Sequence, residues 1–261
     1  MLIIVPSSDS KRPPPEHGRP VVLDELSFPE LMPLRARILD ALIETSAGAD
    51  AFQRLFERPT MADLIARNTR LLELPTLPAS DVYVGELHDG LDVASLSAAA
   101  AERADGGLII TSSLWGALRP ADRIPPYRMR VWSNLVDVDR VEPHWRTVLP
   151  DLLAELAGSN GLVLDVRTPA FRGLGSPTGL SHRTVLLRVD QFSASGRRIG
   201  DVIAKRIRGE AAHLLLESDA EPEEPDEIAD LLGDRWPARL EPPERKGRSW
   251  TLSLTDDDGR G

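Results

Sequence analysis

The sequence predicts an α/β fold of the mixed α+β kind, a single compact domain around a mixed sheet. Three observations carry this reading. Short apolar, β-branched runs recur at residues 2–5, 108–110, 162–166 and 184–189, each the length of a fully buried strand. Stretches with helical spacing of apolar residues lie between them, the order expected of strand–helix–strand units. With 261 residues the chain is long enough to bury one large core.

The elements follow in order. Residues 2–5 form a first strand, closed by Pro6 and a loop, SSDSKRPPPEHGRP, too rich in Pro and Gly for regular structure. Ser27 to Glu30 start a helix that runs to Thr45, with Leu31, Leu34, Ile38 and Leu42 near helical spacing. Residues 51–57 and 60–72 read as further helices, the second capped by Thr60, and residues 75–80 as a linker. Residues 81–91 are ambiguous between helix and strand, while the Ala-rich residues 94–104 form a helix feeding the strand at Leu108. Residues 128–136 alternate enough to predict a strand, residues 143–157 one helix with Trp145 and Leu152 on its apolar face, and residues 201–216 another helix. The main domain therefore spans residues 1–216. Residues 217–261 form an acidic hinge and C-terminal extension packing partly on the same domain, with a short helix at 228–232, a strand at 250–254 and a disordered end, DDDGRG.

The formal net charge is −10, but residues 217–261 hold 14 acids and 6 bases whereas residues 1–216 hold 27 acids and 25 bases. The main body is nearly neutral, and its bases cluster in two segments, 106–130 and 197–209. Two such segments can form one anion-facing surface. The acidic extension reads either as a phosphate mimic folded over that surface or as a solubilising tail, the plainer choice. No apolar run approaches a membrane span, no secretory pattern opens the chain, and there is no Cys, so disulfides and thiol chemistry are excluded and a cytoplasmic location is expected. The five His show no metal-site spacing, and there is no Walker loop, nucleophile elbow or dinucleotide fingerprint. Neither a metal nor a cofactor is expected.

The stretch LIITSSLWGALRPADRIPPYR, residues 108–128, holds the most chemistry. Loops beyond the carboxyl ends of strands are where α/β sheets bind ligands. Pro120 and Pro126 stiffen the backbone beside Arg119, Arg123 and Arg128, which lowers the entropy cost of holding a guanidinium against phosphate or carboxylate. The alternative is structural pairing with carboxylates such as Asp105 or Asp137. Trp115 can stack a base or plug the core. In AKRIRG, residues 204–209, Lys205 and Arg208 stand three apart on one helical face, with Arg206 pointing elsewhere. Lys is scarce here, three residues against 28 Arg, and Lys11 and Lys205 both fall in these segments. Unlike Arg, a lysine can lose its proton near neutrality when buried.

The run SSLWGALRPADRIPPYR, with VYVGELHDGLD from residue 82, the His144-Trp145 helix, VLDVRTPAF at 163–171 and AKRIRG, resembles the bacterial YaaA peroxide stress protein family. The resemblance covers residues 1–216. It implies a mixed α/β fold described as cantaloupe-like, a helix-hairpin-helix element, a basic cleft that binds DNA, and a cytosolic role in peroxide tolerance through limiting free iron. The matching positions are Lys11, Gly116, Arg119, Pro126, Tyr127, Arg128, Lys205, Arg208 and Gly209. The first loop, PSSDSK, lacks the small or glycine context usual in the family.

Two functions compete. In the first, DNA or another phosphate-bearing ligand meets Arg119, Arg123, Arg128, Lys205, Arg206 and Arg208, with Trp115 and Gly116 presenting backbone N–H groups. In the second, an enzyme acts on a phosphorylated or carboxylated small molecule, with Lys205 or Lys11 as acid, base or electrostatic partner and Tyr127 as donor.

Overall fold

Strand β1 (Leu2–Pro6) is buried along its whole length and pairs in parallel with β2 (Leu108–Ser112) on one side and β4 (Val163–Asp165) on the other. In the computed structural model, which describes residues 1–257, five parallel strands form the body of a seven-stranded sheet. Beyond β4 come β5 (Thr184–Val189) and β7 (Trp250–Leu254), both parallel to their neighbours. The edges are antiparallel: β3 (Gly116–Leu118) returns along β2, and β6 (Ala238–Glu241) along β7. The order is β6-β7-β5-β4-β1-β2-β3. After β1 the chain builds outward through β2, then returns to the other flank and builds outward through β4, β5 and β7. The direction therefore reverses between β1 and β4, which opens a crevice at their carboxyl ends.

The helices are α1 (Met32–Ala47), α2 (Ala62–Asn68), α3 (Glu86–Leu91), α4 (Ala98–Gly107), α5 (Leu149–Ala157), α6 (Asp201–Glu217) and α7 (Pro225–Gly233), besides shorter turns. Ser97 caps α4 by accepting from the Ala100 amide at 3.3 Å. Long α6 packs on α3, α4, α7 and β5. Its fit with α3 depends on two glycines: a Cβ on Gly90 would stand 2.5 Å from the Arg206 carbonyl, and one on Gly209 would be 2.7 Å from the Leu91 amide. His213 of α6 bonds the Leu91 carbonyl at 2.9 Å, closing the end of α3.

Several elements differ from the sequence reading. Residues 128–136 are not one strand; only Asn134–Leu135 pairs, in a small ribbon with Asp139–Arg140. Their alternation serves irregular chain in which Met129 and Val131 are buried. The helix read at 143–157 is two, Glu142–Trp145 and Leu149–Ala157, because Pro150 cannot donate to the preceding turn and opens the second instead. Residues 81–91 divide: one short helix ends at Val82, and Gly85, at φ +109°, stands at the N-cap of α3. Within the acidic hinge and extension at 217–261, the short helix expected at 228–232 is the longer α7, which starts at Pro225. The last four residues of DDDGRG lie outside the described residues.

Trp115 and Gly116 turn inward at the β2–β3 hairpin. Trp115 is wholly buried, and Gly116, at φ +74°, lies against the Trp145 ring, 2.5 Å from where a Cβ would stand. The buried Arg35 fastens this hairpin, donating from Nε to the Trp115 carbonyl at 2.8 Å and from Nη2 to the Ala117 carbonyl at 2.6 Å. Burial pushes its pKa down to about 10, so the guanidinium stays charged among carbonyl acceptors.

Candidate functional site

The crevice between β1 and β4 holds a cavity of about 350 Å³. Its floor and one wall are the Ser7–Ser10 loop leaving β1; Thr168 and Phe171 follow β4, His88 comes from α3, and Lys205 and Arg208 come from α6. The close glycine contact of α6 with α3 brings these last residues to one rim. Among the described residues neither Lys205 nor Arg208 forms an ion pair, and the Arg208 Nε is buried without a hydrogen-bond partner. Burial lowers the Arg208 pKa, with Asp201 opposing.

More positive charge stands behind this rim. Arg167 is fully buried and grips Asp165 with two bonds, Nε to Oδ1 at 2.9 Å and Nη2 to Oδ2 at 2.7 Å, while its Nη1 has no partner. Arg172 donates to the Arg167 carbonyl at 2.5 Å. Its pKa is lowered by burial first; Asp165 opposes that shift, and Arg167, Arg188 and Arg208 add to it. One carboxylate, already engaged by Arg167, thus serves several guanidinium groups. Such a field favours an anion.

Beside the cleft lies a second cavity of about 270 Å³, which shares Asp9 and Ser10 with the first and is lined by Lys11, Tyr127 and Arg128. The Lys11 ammonium group donates to the Ser8 carbonyl at 2.6 Å and stands 4.2 Å from the Tyr127 ring centre. Burial pushes its pKa down to about 7; Asp9 opposes the shift and Arg128 adds to it. Under it runs a buried hydroxyl chain. Ser112 Oγ accepts from the Leu114 and Trp115 amides at 3.2 and 3.1 Å, which directs its own proton to the Tyr127 oxygen 2.7 Å away. The Tyr127 and Tyr83 hydroxyls share a hydrogen bond at 3.1 Å. Burial raises the pKa of Tyr127 and raises that of Tyr83 well above the ordinary value, so both phenols stay protonated. His88 donates from Nε2 to the Pro6 carbonyl at 3.1 Å, since that oxygen can only accept, and burial pushes its pKa down to about 4.

The remaining sequence-predicted residues are distributed elsewhere. Arg128 donates from Nε to Glu57 at 2.7 Å and from Nη1 to the Asp9 carbonyl at 2.8 Å; its partner is Glu57, not Asp137. Arg119 donates to the Gly106 carbonyl at 2.8 Å, ahead of β2. That places it at the amino end of the strand, because β3 carries the chain back the length of β2. Arg123 donates to the Thr76 carbonyl at 2.7 Å and lines, with Arg119 and Asp122, a separate depression. Arg206 pairs with Glu210 at 3.0 Å outside the cleft. Residues facing Lys205 and Arg208 therefore come from the β1 loop, α3, the irregular chain at Val131 and Trp132, and the β4 loop. His88, Thr168, Arg172 and Trp132 were not singled out from sequence, although RTP directly after the 162–166 strand signals a ligand loop. Among the described residues none beyond 216 lines the cleft; Glu217 instead accepts from the Ser97 amide at 2.7 Å, and Arg103 reaches Asp219 at 3.3 Å.

No cluster of three or more His, Asp or Glu side chains that could hold a metal ion occurs among the described residues, and no helix there is long and apolar enough to cross a membrane.

Fold and cleft together define a mixed α/β protein with a mostly parallel seven-stranded sheet and a crevice where its strand order reverses. Residues 1–237 match the family model described as peroxide stress protein YaaA, and the chain belongs to that family. A UPF0246 protein of Streptomyces coelicolor is 36% identical over 258 residues, covering 97% of this chain and 98% of its own. One from Corynebacterium efficiens is 33% identical over 259 residues, with 97% and 99% covered. One from Corynebacterium glutamicum is 29% identical over 239 residues, with 88% and 91% covered.

Proposed function

We propose that this member of the peroxide stress family binds a phosphate-bearing ligand in the β1–β4 cleft, with Lys205 and Arg208 as the phosphate partners. The observation that carries the reading is the pairing of an uncompensated Lys205 with an Arg208 whose buried Nε lacks an acceptor. A buried, unsatisfied guanidinium N–H costs roughly 1–3 kcal/mol unless something accepts from it, and a phosphate oxygen supplies that acceptor. The test is a titration with ribose 5-phosphate at low salt. Binding that Lys205→Ala and Arg208→Gln each weaken about tenfold or more, as loss of one charge-assisted bond implies, supports the reading. Equal affinity in all three proteins refutes it.

Duplex DNA, with the helix-hairpin-helix element and iron-limiting role that the resemblance implies, is the second reading. It draws support from the exposed Arg188, which extends the positive field around Arg172 outward from the cleft. Against it, Arg119, Arg123, Arg128 and Arg206 already bond within the chain. A DNA affinity that falls linearly in log–log terms with salt, and with a shallower slope in Arg188→Ala, marks this mode.

A further inference from the structure

The cleft has an apolar side that phosphate binding leaves unused. Trp132 is 38% exposed, unusual for the largest side chain in a chain that buries Trp115 and Trp145 completely, and it lines the same cavity as Lys205 and Arg208. Phe171, Leu87 and Val131 line it too. The Trp132 ring is braced: the Arg130 guanidinium sits over it at 5.7 Å from the ring centre, and Arg130 is itself held by Glu57 at 2.8 Å. A solvated indole fixed in this way, beside a cationic rim, suits a ligand that carries a flat apolar group as well as an anion.

We propose that the ligand is a free mononucleotide, its phosphate on Lys205 and Arg208 and its base against the Trp132 ring. The inference rests on the phosphate reading above and adds the second half of the molecule. Size agrees: about 350 Å³ is at the small end of the roughly 300–1,000 Å³ usual for small-molecule pockets. Charge agrees as well. The cavity also contains the carboxylates Asp9 and Glu86, which offset the two cations and can accept from sugar hydroxyls or an exocyclic amino group. One phosphate is accommodated, whereas a triphosphate or a strand brings further negative charge against those carboxylates.

The test compares AMP, ATP, ribose 5-phosphate, adenosine and a five-residue deoxyadenosine oligonucleotide on the full chain by calorimetry at fixed low salt. AMP binds about five- to a hundredfold tighter than ribose 5-phosphate, the usual worth of one stacked base, and tighter than ATP. Trp132→Leu abolishes that advantage and leaves ribose 5-phosphate unchanged, with Phe171→Leu as a second variant; unaltered thermal midpoints certify folding. Equal binding of AMP and ribose 5-phosphate by the wild type overturns the nucleotide while the phosphate reading stands. Adenosine binding as tightly as AMP, or failure of every phosphate compound, overturns the phosphate reading itself. An oligonucleotide or ATP that binds more tightly than AMP overturns the free mononucleotide.

Discussion

Gly209 of α6 lies directly against the Leu87 carbonyl of α3, leaving no room there for a Cβ. Both backbones are held by their own helices, so neither yields cheaply. Gly209→Ala is expected to destabilise the protein by roughly 1–3 kcal/mol, the cost of overpacking a filled contact, and to displace Lys205 and Arg208 from the cleft. Gly233→Ala is the control, because a Cβ there meets nothing within 4 Å. It should be neutral or stabilise slightly. Urea midpoints of the two variants, with ligand titrations on Gly209→Ala, check both halves.

Lys11 makes stability depend on alkaline pH. Its pKa is about 7 in the folded chain, lowered by burial, against 10.5 ordinarily. Between these values the unfolded chain holds a proton that the folded chain has released, so stability rises as pH climbs from about 7 toward 10.5 and is lost as pH falls through 7. In Lys11→Met this slope should vanish. Denaturation of both proteins at pH 6, 8 and 10 reads it: the advantage of the variant is greatest at pH 6 and shrinks upward. A constant difference refutes the assignment.

His88 gives the corresponding acid limb. Burial holds its pKa at about 4 against 6.5 ordinarily, so the unfolded state binds the extra proton first and stability drops as pH falls from 6.5 to 4. His88→Gln keeps an N–H for the Pro6 carbonyl but cannot titrate. Its thermal midpoint should therefore fall less steeply across that window than the wild type's.

Glu57 is the common acceptor of Arg128 and Arg130, and its side chain is 1% exposed. Removing the charge leaves Arg128 without a carboxylate and Arg130 with only the more distant Asp9, 3.7 Å away, a loss of about 3 kcal/mol where a buried pair is broken. Glu57→Gln should show this in its urea midpoint. Because Arg130 braces Trp132, the variant should also alter the Trp132 emission.

How far the sequence reveals this molecule depends on the range of each interaction. Strands 2–5, 108–110 and 162–166 are legible because burial on both faces demands continuous apolar runs. Lys205 and Arg208 are legible as a pair because helical spacing is local. The partner of Arg128 is not, since Glu57 lies 71 positions away and no pattern near either residue announces the other. The reversal at β3 is also silent: three buried residues, GAL, suffice to carry Arg119 to the far end of the sheet. The motif glycines carry a different meaning in structure than in sequence, with Gly209 a packing residue of α6 and Gly116 a seat for Trp145.

Strand β7 lies between β5 and β6, yet it is made from residues 250–254, far along the chain from β5 and after α6. A nascent chain complete through α6 therefore carries β5 with one side unpaired, an open template for another chain. Translation that stalls or terminates after residue 217 yields a protein whose candidate cleft residues are all present but whose sheet ends on that bare edge. Residues 250–254 thus cover an edge of β5 that would otherwise stand open to another chain.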